Sequence, residues 1–139
     1  MKYLVPRVWI SLIVAYNVIC GVLAIVNPAR LEALFPGSEK IFGTETTILS
    51  RVLGSYALSI AGVRTIFVLR PTSSSAFWSV IWTFFVFESM FAIEVAFGTV
   101  TLDTVAFGVV AGTLSCILLF AYKAFGWLLS PPAPKAKGA

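Results

Sequence analysis

The sequence predicts an all-α membrane protein, a four-transmembrane-helix bundle with a short interfacial helix after the first span. Three observations carry that expectation. Of 139 residues, 59 % are hydrophobic and 12 % charged, against about 25 % charged in ordinary soluble domains, and the mean hydropathy is +0.97. Four apolar stretches, 8–26, 46–69, 77–99 and 104–126, approach the roughly 20 helical residues that cross a hydrocarbon core. The joins between them are short and polar. These spans form one domain, 1–129, followed by a Pro- and Lys-containing tail, 130–139. Little chain is left for a soluble catalytic domain, so any activity must lie in the bundle, at its rims or in a partner.

Charge placement sets the expected orientation. With four spans both termini share one side, which collects Lys2, Arg7, Arg70, Lys123, Lys135 and Lys137. The opposite loops offer Arg30 and Lys40, offset by Glu32, Glu39 and Glu45. The positive-inside rule then puts the termini on the cytosolic side or its equivalent, the mitochondrial matrix. The formal net charge of +4 does not indicate nucleic acid, because the basic residues form no aromatic-interleaved face.

The chain has no histidine, and its two cysteines, Cys20 and Cys116, each fall within an expected span and outside any CxxC spacing. That disfavours metal, haem and histidine-based acid/base chemistry. No metal site, catalytic residue or cofactor is expected, and both cysteines read as small packing residues.

In the first span, the apolar run behind Lys2 and Arg7 exceeds the 7–15 residues of a signal-peptide core, so it reads as a retained helix. Asn17 falls mid-span and is expected to hydrogen-bond across helices. Asn27 and Pro28 supply an N-cap and a first-turn proline for a second, short helix. Its Leu31, Leu34 and Phe35 share one face, as an interfacial segment requires, and Pro36 and Gly37 stop it. Thr44 or Thr46 is expected to cap the second span, with Glu45 favourable beside the helix N-terminus.

Along the second span Ser50, Gly54, Ala57, Ala61 and Arg64 fall within about 80° of one another at about 100° per residue. Small side chains of this kind let helices approach closely in lipid. Arg51 projects about 140° away from Arg64. Arg70, Pro71 and the run 72–75 make the next join, and Phe77, Trp78 and Trp82 are expected to anchor the third span at the interface. The turn 98–103 leads to the fourth span, where Gly108 and Gly112 offer a second close-approach face and Tyr122, Lys123 and Trp127 mark the far interface. Pro131, Pro132 and Pro134 keep the tail extended, and Lys135 and Lys137 are spaced like a dilysine retrieval signal.

Four ionisable groups sit within spans: Arg51 and Arg64 on the second, Glu88 and Glu94 on the third. A charge at bilayer depth costs at least about 2.5–3.5 kcal/mol, so each needs a partner or a purpose. An antiparallel hairpin turning near 70–77 sets Arg51 against Glu94 and Arg64 against Glu88, and these are the expected intramembrane ion pairs.

At this hairpin the sequence resembles the ergosterol biosynthetic protein 28 family of small four-span membrane proteins. The residues that carry the likeness are Leu49, Ser50, Arg51, Val52, Leu53 and Gly54, then Val63 and Arg64, then Trp82, Thr83 and Phe84, and finally Phe91 and Glu94, with Asn17 in the first span. The chain departs from the family at Met90, where a histidine would stand, and Glu88 has no counterpart. The resemblance implies a non-catalytic scaffold of the endoplasmic-reticulum membrane that holds sterol-synthesis enzymes, notably those of C-4 demethylation, near one another.

The residues leave other readings open. An accessory subunit of a mitochondrial inner-membrane complex, respiratory or ATP synthase, would show the same features. A small proton-coupled transporter using Glu88 or Glu94 is a further alternative, since intramembrane carboxylates are functional candidates by default; two nearby arginines weigh against it. A lipid-acting enzyme ranks lower. The expected partners are larger membrane proteins and the bilayer; Asn17, Ser50, Gly54, Ala57, Ala61, Gly108 and Gly112 are expected to form a face for helix packing or for a partner.

Overall fold

The computed structural model describes residues 4–43, 45–98 and 102–128, without the side chains of 42, 88, 91, 94, 102–105, 107 and 126–128. Every described element is helical: α1 (Leu4–Val26), α2 (Pro28–Leu34), α3 (Glu39–Phe42), α4 (Ile48–Leu69), α5 (Ser74–Ala96) and α6 (Leu102–Leu128). The expected extended tail, 130–139, lies outside the described residues. So do Lys2 and Thr44.

Among the described residues, three segments are long and apolar enough to cross a membrane: α1, α4 and Gly108–Phe125 of α6. The described apolar segment of α5, Ser74–Phe87, is shorter. By length and composition, the described residues give three candidate spans and a shorter apolar helix where the sequence predicted four spans.

The helix starts follow local chemistry. The Asn27 side chain accepts a hydrogen bond from Arg30 N–H at 3.1 Å, with Pro28 in the first turn, so a single residue separates α1 from α2. The α4 cap is Thr47, not Thr44 or Thr46. Thr47 Oγ1 accepts from Ser50 N–H at 3.1 Å while Thr47 N–H donates to Ser50 Oγ at 2.9 Å. That reciprocal capping box needs a side-chain acceptor three residues on, and for Thr47 that acceptor is Ser50. Ser73 caps α5 by accepting from Ala76 N–H.

The one-turn helix α3 was not expected. It is held by Glu32, whose carboxylate accepts from Gly37 N–H at 2.7 Å, Glu39 N–H at 2.6 Å and Ser38 Oγ–H at 3.0 Å. Gly37 lets the chain double back at φ 93°, a conformation that costs glycine little.

α1 packs most extensively on α4; α4 then packs on α5 and α5 on α6, with a slighter closing contact between α6 and α1. The main core draws on all four long helices at one end of the bundle: Ile10 of α1, Phe67 of α4, Ala76, Phe77, Val80 and Phe84 of α5, and Leu119 of α6. A smaller cluster, Cys20, Ala24 and Leu31, joins α1 to α2 at the other end. Phe77, expected in an interfacial belt, belongs to the main core; Trp78 and Trp82 are exposed. The outward faces are strongly apolar, with Leu12, Phe85 and Phe125 each about three-fifths exposed.

Candidate functional site

The inward face of α4 is the stripe read from the sequence. Ser50, Gly54, Ala57, Ala61 and Arg64 are all buried. Facing it, α1 presents Asn17, Gly21 and Ala24. The two helices meet at glycine on both sides. A Cβ added to Gly21 would lie 2.8 Å from Gly54 O and 2.8 Å from Leu58 Cγ; one added to Gly54 would lie 2.6 Å from Gly21 O and 2.7 Å from Ile25 Cγ1. Backbone thus rests on backbone, an approach open only where neither helix carries a side chain.

Asn17, one turn before Gly21, is buried, and its amide nitrogen makes no hydrogen bond among the described residues. That nitrogen therefore supplies no cross-helix bond among the described residues.

Arg64 closes the stripe and ties α4 to α5. Its Nε–H donates to Thr83 Oγ1 at 3.0 Å, and Thr83 Oγ1 in turn donates to Val80 O at 2.7 Å. The guanidinium carbon lies 3.9 Å from the Phe84 ring centroid. Among the described residues, a hydroxyl and a ring face meet this charge, which is 3 % exposed. The carboxylates of Glu88 and Glu94 lie outside the described residues, and with them the expected pairs Arg64–Glu88 and Arg51–Glu94. Arg51 itself is exposed in the first turn of α4, in keeping with its projection away from Arg64.

A further tie runs between α1 and α6. Trp9 Nε1–H donates to Ser115 Oγ at 2.8 Å, and Ser115 Oγ–H donates to Ala111 O at 2.6 Å. Ser115 is fully buried, Gly112 one turn before it is buried and Gly108 is half-buried. The sequence reading missed Gly21, Trp9 and Ser115, and named Thr83 only among the residues that carry the family resemblance. Gly21 had a usable signal, since Asn17, Gly21 and Ala24 repeat small or polar residues at helical spacing; Trp9 and Ser115 had none.

What this arrangement does chemically is hold helices together. Its guanidinium and indole donate to hydroxyls of a neighbouring helix, and those hydroxyls donate to carbonyls of their own helix. Among the described residues, no group of three or more His, Cys, Asp or Glu side chains is placed to hold a metal ion. In comparisons with known proteins, the family model described as Erg28 like protein matches residues 7–117. That match takes in all but the first three residues of α1, α2 to α5 and more than half of α6, including every residue of the seam and its ties. No curated protein and no solved structure matches the chain.

Proposed function

The chain belongs to the Erg28-like family, and from that premise we propose that it is a non-catalytic membrane scaffold or accessory subunit holding larger membrane proteins together. In this reading α5 is a fourth span, so that both termini lie on the cytosolic side, and the membrane is that of the endoplasmic reticulum. Its partners are sterol-synthesis enzymes.

The observation that carries the reading is the family match along 111 of the 139 residues, from 7 to 117. The geometry adds support of its own kind. Arg64, Trp9 and Ser115 are spent on joining helices, which suits a rigid body that others dock on. The apolar outward faces give partners and lipid the same surface to compete for.

Purification from native membranes in mild detergent tests it. Larger membrane proteins should be recovered in fixed stoichiometry, and sterol-pathway enzymes among them would place the chain in the endoplasmic reticulum. Recovery of a lone monomer or homodimer would overturn the scaffold reading; recovery with respiratory or ATP synthase subunits would move it to the mitochondrial inner membrane.

A further inference from the structure

Among the described residues, the charges at one end of the bundle are all basic. Ile10, Phe67 and Leu119 share the main core; Arg7 precedes Ile10 by three residues, Arg70 follows Phe67 by three and Lys123 follows Leu119 by four. Each basic residue's backbone therefore stands within about one turn, roughly 5–6 Å along a helix axis, of the same buried cluster. All three are exposed. The six acidic residues of the chain fall elsewhere: Glu32 in α2, Glu39 in α3, Glu45 before α4, Glu88 and Glu94 in the second half of α5, and Asp103 at the start of α6.

Lys123 does not stand free of the surface. Its Nζ lies 4.3 Å from the Phe77 ring centroid and 4.6 Å from that of Trp78. Phe120 packs edge-on against both rings, at 5.5 and 6.1 Å. Because Phe77 is locked in the core, the platform under the ammonium is fixed. Ring faces attract the cation but accept none of its N–H bonds in the way an oxygen does, so its open side still calls for an anion. The half-exposed Trp78 beside it brings an indole that suits the headgroup level of a bilayer.

We propose that the Lys123–Trp78 corner, with Arg70 and Arg7 on the same rim, binds the phosphate of an anionic phospholipid in the leaflet on the side of the chain termini. The ammonium faces the phosphodiester, the aromatic edges pack at the glycerol level, and the rim's uncompensated positive charge disfavours the choline of a zwitterionic lipid. The inference rests on the membrane-spanning reading and is independent of the scaffold role.

The full chain is placed in nanodiscs of equal parts phosphatidylcholine and phosphatidylserine, extracted, and its retained lipids counted by native mass spectrometry. Wild type should retain phosphatidylserine preferentially. Lys123→Ala should lower that preference about five-fold, the effect of one basic residue at a membrane surface. Lys123→Arg should keep it, since charge and ring stacking both survive, and Lys40→Ala at the opposite end should leave it unchanged. No preference in wild type, full preference in Lys123→Ala, or an equal loss in Lys40→Ala would overturn the proposal. Displacement of the lipid by inorganic phosphate at matched concentration would also overturn it, by making the occupant a soluble anion. Failure of the chain to enter discs would sink both this inference and the membrane reading, whereas absence of co-purifying proteins bears on the scaffold alone.

Discussion

Gly21 and Gly54 bring α1 and α4 into backbone contact: a Cβ on either would lie 2.8 or 2.6 Å from the other's carbonyl oxygen. In lipid, where packing replaces the hydrophobic drive, this seam is the main lever on stability. Gly54→Ala and Gly21→Ala should each force the helices apart at a cost of about 1–3 kcal/mol. Gly62→Ala serves as the opposite case. Nothing lies within 4 Å of its added Cβ, so the better helix propensity of alanine should leave it neutral or stabilised by up to about 1 kcal/mol. Thermal unfolding in mild detergent orders the three, and a Gly54→Ala protein as stable as Gly62→Ala would refute the close contact.

Thr83 is the described hydrogen-bond acceptor of buried Arg64. Thr83→Val keeps the shape but removes that acceptor, so it should destabilise the protein by about 1–3 kcal/mol. Arg64→Lys should not substitute, because an ammonium cannot lie flat on Phe84 while reaching Thr83. A double-mutant cycle over Arg64→Met and Thr83→Val should return a coupling of at least about 0.5 kcal/mol; strict additivity would show that the two side chains do not act together.

Trp9 and Ser115 supply the polar tie that closes the bundle between α1 and α6. Ser115→Ala should cost about 1 kcal/mol and, because the apolar contact between these helices is slight, should loosen α6 before the rest. Hydrogen exchange read along the chain checks this. Faster exchange in 108–125 with α1 and α4 unchanged is the expected pattern, and uniform acceleration would contradict it.

Glu32 gives a pH signature outside the spans. Hydrogen bonds from the backbone of Gly37 and then Glu39 hold its carboxyl below the usual range. The native state therefore favours the ionised form, and its contribution is complete above the ordinary glutamate pKa of about 4.3. It is lost as pH falls below that value and through the depressed native one. Wild type should lose stability on acidification in this window, while Glu32→Gln, already lacking the carboxylate, should change less. Parallel acid profiles of the two proteins would show that the α2–α3 loop does not depend on this charge.

Much of the architecture was legible because it is local. The Asn27–Pro28 helix start, the buried stripe Ser50, Gly54, Ala57, Ala61 and Arg64, and the outward direction of Arg51 all follow from cap chemistry or from rotation per residue within one segment. Thr47 was missed in favour of Thr44 or Thr46 because the decisive partner, Ser50, works through a pair of bonds and not through residue type alone. The expected ion pairs of Arg51 with Glu94 and Arg64 with Glu88 remain proposals of register.

The sequence by itself determined that this is a helical chain built for lipid, which face of α4 turns inward, and which family it resembles. Only the tertiary structure decided what meets that face: Gly21 against Gly54, Thr83 and Phe84 around Arg64, Ser115 under Trp9, and Phe77 in the core instead of the interfacial belt. The reason is physical. A helix fixes the direction of its own side chains, but the depth and rotation at which it meets a neighbour depend on the fit of two surfaces. Helices apolar on every side carry no amphipathic stripe to announce that fit.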